Sequence, residues 1–198
     1  MLRAGTRSEA EWQGRWMQRF VLGSIVAEPL SRHPHLVAAP VSALVERLGL
    51  GDAIGAFEID PEMSETAATQ ARYDLDPASL VNCVVVAGRR EGEERLAACL
   101  VPATKRVDVN GAVRRRLNVR KASFLAQADA VERTGMEYGG ITPIGLPDGW
   151  PLLMDADVIT TPLVVIGSGI RASKLLVPGE LLGRLPGAEV VEGLGRAF

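Results

Sequence analysis

Two apolar runs, CVVVAG (83–88) and LAACLVP (96–102), stand on either side of the polar stretch GRREGEE, and such a pair commits the chain to a β-hairpin and to a sheet around it. The signals flanking that hairpin change type without a steady βαβ rhythm. Val41, Leu44, Val45 and Leu48, stopped by Gly49, give a short amphipathic helix. Ser64 stands as an N-cap before the Thr/Ala-rich run that follows it, and Asp108 caps a helix that puts Val109, Ala112, Val113 and Leu117 on one face, with Arg114, Arg115 and Arg116 opposite. KASFLA reads as a strand and Asp129 to Gly135 as a short capped helix. PLLMD, PLVVIGSG and SKLLV read as further strands, followed by a helix after Pro178 and a last strand at AEVVEG. This ordering predicts an α+β fold, a single domain with a central mixed β-sheet and surrounding helices. Residues 1–39 differ in texture: Trp12, Trp16 and Phe20 recur every four residues, which predicts an apolar stripe on an N-terminal helical extension to a domain spanning 40–198.

With 198 residues and 47% hydrophobic content the chain can bury a core. A net charge of −2 excludes nucleic-acid binding by bulk charge, so such a partner has to be met by a local basic patch. The opening sixteen residues are too charged for a secretory leader, and no apolar run approaches a membrane span; the expectation is a soluble, cytoplasmic protein with no membrane partner. Cys83 and Cys99 sit in apolar runs with no metal-ligand spacing, which fits a reducing compartment.

Several chemistries fail on spacing. VVIGSGIRA matches a dinucleotide fingerprint, with Glu189 twenty residues past Gly169, but Pro178 and Gly179 interrupt any crossover helix and only 29 residues follow Gly169. Ser168 lacks the glycine two residues before it that a nucleophile elbow needs, and residues 36–198 contain no histidine. His33 and His35 flank Pro34 in a linker with no third ligand nearby. Asp155 and Asp157 form a D-x-D that could hold a divalent ion, although one aspartate ending a strand and another capping the next turn accounts for it as well; no metal site and no cofactor is assigned.

Two glycine-rich loops remain, Gly139 to Gly145 and Gly167 to Gly169, each beside a strand, where bare backbone can approach a ligand closely. GGITPIG, then MDADV, then VVIGSG, then a helix opened by proline and glycine, resembles the YbaK/ProX-type family of free-standing relatives of the prolyl-tRNA synthetase editing domain. FEIDPEMSETAATQA, LVNCVVVAG and the stretch from LAACLVP to GGITPIG resemble its preceding segments in order, so the resemblance runs from about residue 40 to 195.

That resemblance implies hydrolysis of mischarged aminoacyl-tRNA. It implies that Gly139, Gly140, Thr142, Pro143 and Gly145 line the pocket for the aminoacyl group on the terminal adenosine, and that Gly167, Ser168 and Gly169 form a second loop closing it. Phe57 falls where some relatives have a tyrosine near the pocket. Asn82 is the departure: relatives carry a lysine there that contacts the polar end of the substrate, and an asparagine supplies no charge-assisted bond. Two accounts follow. Either the chain is an editing deacylase in which Asn82 orients the substrate and Lys174 or Arg171 restores the charge, or it is an impaired relative that binds tRNA, a small ligand or a protein. In the second account the N-terminal helix would serve a protein partner or self-association. The basic run RRRLNVRK makes Arg115, Arg120 and Lys121 the candidate tRNA contacts, and a solvated helix face explains the same run equally well.

Overall fold

The computed structural model describes residues 20–198. Two five-stranded sheets form the framework. The first runs β1 (Phe20–Leu22), β2 (Ile25–Pro29), β3 (Gly55–Glu58), β10 (Ser173–Val177), β9 (Val164–Gly167) in spatial order. The second runs β11 (Ala188–Val190), β8 (Leu152–Met154), β5 (Glu93–Pro102), β4 (Val81–Arg90), β7 (Ala122–Phe124), and a small ribbon pairs β6 (Lys105–Val107) with β12 (Gly195–Ala197). β8 is parallel to both β5 and β11 while the other pairs are antiparallel, so the sheet is mixed, as expected. A bridge from Leu80 to Val165 joins the start of β4 to β9 and closes the seam between the two sheets.

Side-chain alternation explains the layering. On β9 and β10, Val164, Ile166, Leu175 and Val177 enter a central core, while Val165 and Leu176 face a second one with Phe20 and Phe57. On β5 and β8, Ala98, Leu100, Leu152 and Met154 enter the central core, and Cys99, Val101 and Leu153 face a third. Strands buried on both faces read as apolar runs, which is what PLVVIG and LAACLVP are, while SKLLV carries a serine and a lysine into the interior. Six α-helices are present among the described residues. Helix α1 (Ala39–Leu48) sends Val41, Leu44 and Val45 into the central core and ends at Gly49 in the left-handed region, as its pattern predicts. Each such fully buried aliphatic side chain contributes about 1.5–3 kcal/mol.

The structure corrects several local expectations. Phe20 opens a strand rather than extending a helix, because its ring lies over Gly55 of β3, where a Cβ would come within 2.6 Å of it. Residues 20–29 therefore form a hairpin whose second strand pairs with β3; Trp12 and Trp16 lie outside the described residues. Ser64 does not cap the next helix, α2 (Thr66–Tyr73); Glu65 holds the cap position, and its side chain makes no capping bond. The polar loop of the central hairpin is shorter than its composition suggests. β4 and β5 pair through Arg90 and Glu93, leaving a two-residue turn with Glu91 and Gly92 both at positive φ. Asp108 is an N-cap, accepting from the Gly111 and Ala112 amides, but the turn it starts is a π turn (Val109–Val113) that leads into α3 (Arg114–Leu117). Asp129 lies in the first turn of α4 (Gln127–Thr134) behind the cap position at Ala126. Two short helices complete the set: α5 (Ala156–Thr160), and α6 (Gly179–Leu182) directly after Pro178.

Candidate functional site

A cleft of about 560 Å³ opens where the two sheets meet. Its floor is Leu80, Val81 and Val165 beside the bridge, and its walls are the start of β4, the ends of β9 and β10, the first turn of α2 and the loop after α4.

The strand and helix side of the cleft is polar. Asn82, on β4, accepts a 2.7 Å hydrogen bond from the Thr66 hydroxyl at the start of α2. Lys174, on β10, sits opposite Gly167 of β9 and Phe57 of β3, and its ammonium donates to the Ser64 carbonyl at 2.8 Å. Asn82 and Lys174 thus converge on residues two apart at the N-terminus of one helix. Lys174 is only 8% exposed. Burial, helped by the nearby Arg171 and opposed by Glu65, pulls its pKa down to about 8. The Ser64 hydroxyl is buried and has no hydrogen-bond partner among the described residues.

The loop side is different. Gly139, Ile141 and Gly167 line the cleft, but the other glycines are engaged with protein. The two loops clasp each other: the Gly169 amide donates to the Gly140 carbonyl at 2.8 Å and the Glu137 amide to the Gly169 carbonyl at 2.8 Å. A Cβ on Gly167 would lie 2.3 Å from the Gly140 carbonyl oxygen, and one on Gly145 would lie 2.4 Å from that of Pro40, with φ at +85°. Thr142 and Pro143 are buried, and the Thr142 hydroxyl has no partner among the described residues. Ser168 is fully buried, with its hydroxyl bonded to Ser173 and the Ile170 carbonyl. Phe57 packs edge-on against Tyr73 at 5.7 Å in the second core. Of the residues that the resemblance places at the pocket, Asn82, Gly139 and Gly167 line the cleft; Phe57, Gly140, Thr142, Pro143, Gly145, Ser168 and Gly169 lie behind its wall.

Residues 60–185, more than half of the chain, match the aminoacyl-tRNA editing domain. The chain belongs to that editing-domain family. Solved structures carry the same fold. One is a candidate trans-editing enzyme for prolyl tRNA synthetase, 22% identical, covering 76% of this chain and 92% of its own length at a TM-score of 0.66. A scaffold protein used to graft a linear epitope (22%, covering 80% and 96%) and a hypothetical protein (21%, covering 77% and 98%) also give 0.66. No curated protein matches the chain.

Within this editing domain the remaining candidate groups are accounted for. Lys105 reaches both members of the D-x-D, 2.8 Å from Asp155 and 2.7 Å from Asp157, while Asp155 also caps α5. The pair thereby raises the Lys105 pKa. Among the described residues no three His, Cys, Asp or Glu side chains gather as a metal ion would need. Burial raises the Cys83 thiol strongly and pushes Cys99 up to about 12, so neither offers a thiolate at neutral pH. Arg171 spans the Tyr138 and Pro61 carbonyls rather than lining the cleft. Arg115, Arg120 and Lys121 are exposed and away from the cleft lining, whereas Arg116 is held in a bidentate pair by Glu189.

Sequence reasoning missed the aromatic rim. Phe124, Tyr138 and Phe198 all line the cleft while remaining at least half exposed, and the Arg106 guanidinium stacks over the Phe198 ring at 4.8 Å. Tyr138 stands directly before the glycine loop, so an aromatic adjoining a suspected pocket was the available signal. Lys174 was named from sequence as one of two residues that could restore the charge, and its signal was a lone lysine inside the strand SKLLV. Among the described residues no helix is long and apolar enough to cross a membrane.

Proposed function

We propose that this chain hydrolyses the ester of a mischarged tRNA in trans, as a YbaK/ProX-type deacylase acting in the cytoplasm. The observation that carries the reading is that Asn82, Gly139, Gly167 and Lys174 converge on one cleft in a chain of an aminoacyl-tRNA editing family. In the reaction, water attacks the ester carbonyl, the carbon–oxygen bond to the ribose breaks, and the ribose hydroxyl leaves with a proton. With no histidine in the domain and both thiols protonated, the chain contributes by positioning and by donors that meet the developing oxyanion. One such donor is worth roughly 3–4 kcal/mol where it has been measured in other enzymes. Gly139 and Gly167 leave backbone at the cleft surface, and Asn82 and Thr66 fix the opposite wall.

The rim supports an RNA substrate. Phe124, Tyr138 and Phe198 are flat, exposed faces on which unpaired bases stack. Phe124 ends the three-residue strand β7, which begins directly after Lys121, so the basic stretch lies about 10 Å of extended chain from the rim. Phosphate contacts at Arg115, Arg120 and Lys121 would lead a strand toward the cleft.

A second reading has a specific observation behind it: the Asn82 carbonyl, at the position where the resemblance implies a lysine, is already engaged by Thr66. In that reading the cleft binds tRNA without turning it over. Deacylation of tRNAs carrying Ala, Cys, Ser or Thr, by the native chain and by Asn82→Lys in parallel, separates the two. Multiple turnover by the native protein supports the enzyme; turnover by Asn82→Lys alone supports the silent binding module; no turnover by either removes the editing proposal for these four amino acids.

A further inference from the structure

The corner of the cleft between Ser64 and Lys174 holds more donor capacity than the protein uses. The Lys174 ammonium carries three donors and spends one on the Ser64 carbonyl. Among the described residues it makes no ion pair within 4.0 Å; Glu65, exposed at the cap position of α2 and also lining the cleft, acts on it through space and favours its charge, and Arg171 acts in the opposite sense. Beside it Ser64 is only 2% exposed and its hydroxyl has no partner among the described residues, and the first turn of α2, an eight-residue helix, has no side-chain cap.

A buried cation without a bonded counter-charge and a buried hydroxyl without a partner are both unfavourable until a ligand satisfies them. Burial draws the lysine down to about 8 even against the opposing charge of Glu65, the response of an ammonium with no carboxylate bonded to it among the described residues. An ammonium, a free hydroxyl and a helix N-terminus that meet in one open cleft ask for the same thing, an anion with several acceptor oxygens. In an aminoacyl-tRNA the carboxyl of the amino acid is consumed in the ester, so the anion at the substrate end is phosphate.

We propose that Lys174, Ser64 and the N-terminus of α2 form a phosphate subsite of the cleft, which takes the 5′-phosphate group of an adenosine nucleotide and so carries the positive charge that position 82 lacks. The choice of phosphate over carboxylate rests on the editing reading. The shared chemistry is a nucleotide phosphate, supplied either by the last phosphodiester of an RNA 3′ end or by a free nucleotide.

The test is calorimetric titration of the full chain at pH 7 with 5′-AMP, with adenosine, and with a short RNA ending in CCA. The native protein is expected to prefer 5′-AMP over adenosine by about ten- to hundredfold. Lys174→Met, whose side chain fills the same space without charge, is expected to erase that preference while leaving adenosine affinity in place, and Ser64→Ala to reduce it several-fold. Equal affinity for 5′-AMP and adenosine in the native chain, or a preference that survives Lys174→Met, overturns the subsite. Tighter binding of the RNA than of 5′-AMP supports the subsite with RNA as its source, and the reverse order supports it with a free nucleotide. A Lys174-dependent preference without any deacylation keeps the subsite and removes the editing reading; turnover with no such preference does the opposite.

Discussion

The glycine loops and the strand–helix corner across the cleft are built on opposite terms. In the loops, Gly140, Gly145 and Gly167 are small because protein backbone already occupies the space beside them and Gly169 because the Ala38 and Val41 side chains do, and the Gly169 amide donates to the Gly140 carbonyl. In the corner, Ser64 and Lys174 are polar and buried with donors unspent. The loops are closed upon themselves and the corner is open to a ligand. A polar group that is buried and unsatisfied is a better pointer to function than a glycine that is merely conspicuous.

The comparison breaks first at Gly167. With a Cβ only 2.3 Å from the Gly140 carbonyl oxygen, Gly167→Ala should destabilise the fold by about 3 kcal/mol, lowering the thermal midpoint by about 6–12 °C. An unchanged midpoint with lost ligand binding would make the loop a ligand wall instead.

Lys174→Met should do the reverse, because replacing an unpaired buried cation with an apolar chain of similar length is neutral or stabilising. The effect depends on pH. The native lysine titrates near 8 and the unfolded one near its ordinary 10.5, so between those values the unfolded state holds more protons and native stability rises with pH. The advantage of Lys174→Met should therefore be constant below about pH 8 and shrink by up to about 3 kcal/mol as pH approaches 10.5. Denaturant unfolding of both proteins across that range checks it, and a pH-independent difference would mean an ammonium that is not penalised by burial.

At the rim, Phe124→Ala and Tyr138→Ala should each weaken binding of a CCA-ended RNA by about 1–3 kcal/mol and leave the folded state unchanged. In the basic stretch, Arg115→Ala with Arg120→Ala should lower tRNA affinity about equally for all sequences and reduce the salt slope by about two. A slope that does not change would return those arginines to the role of a solvated face. The smallest effect is expected at Thr142→Val, which removes an unpartnered buried hydroxyl behind the cleft: a gain of about 1 kcal/mol with deacylation unaffected. A loss of turnover there would bring Thr142 into the pocket after all.

These residues also show where sequence reading stops. The strands at 96–102, 164–167 and 173–177 were legible because burial on both faces leaves largely apolar runs, the strand at 83–88 because its valines stand before a polar turn, and α1 because its spacing and Gly49 agree. GAFE (55–58) and the β6–β12 ribbon were not, since four residues or fewer carry no period and their pairing is set by distant partners. Phe20 fitted a four-residue spacing that tertiary packing on Gly55 overrides. At the site, sequence identified the loops but could not distinguish a glycine kept for a ligand from one kept for a neighbouring carbonyl. Ser64 read as a cap because Ser before a helix usually is one; in the structure its hydroxyl has no partner among the described residues, and its carbonyl accepts from Lys174, 110 residues away.

The central claim, that the charge absent from position 82 is carried by Lys174, is tested most directly by a four-protein cycle. The affinity for 5′-AMP would be measured for the native chain, Asn82→Lys, Lys174→Met and the double variant. Asn82 and Lys174 meet the start of the same helix, so a lysine restored at 82 should recover in the double variant most of the affinity that Lys174→Met loses. A Lys174→Met protein that binds 5′-AMP as tightly as the native chain would contradict the account.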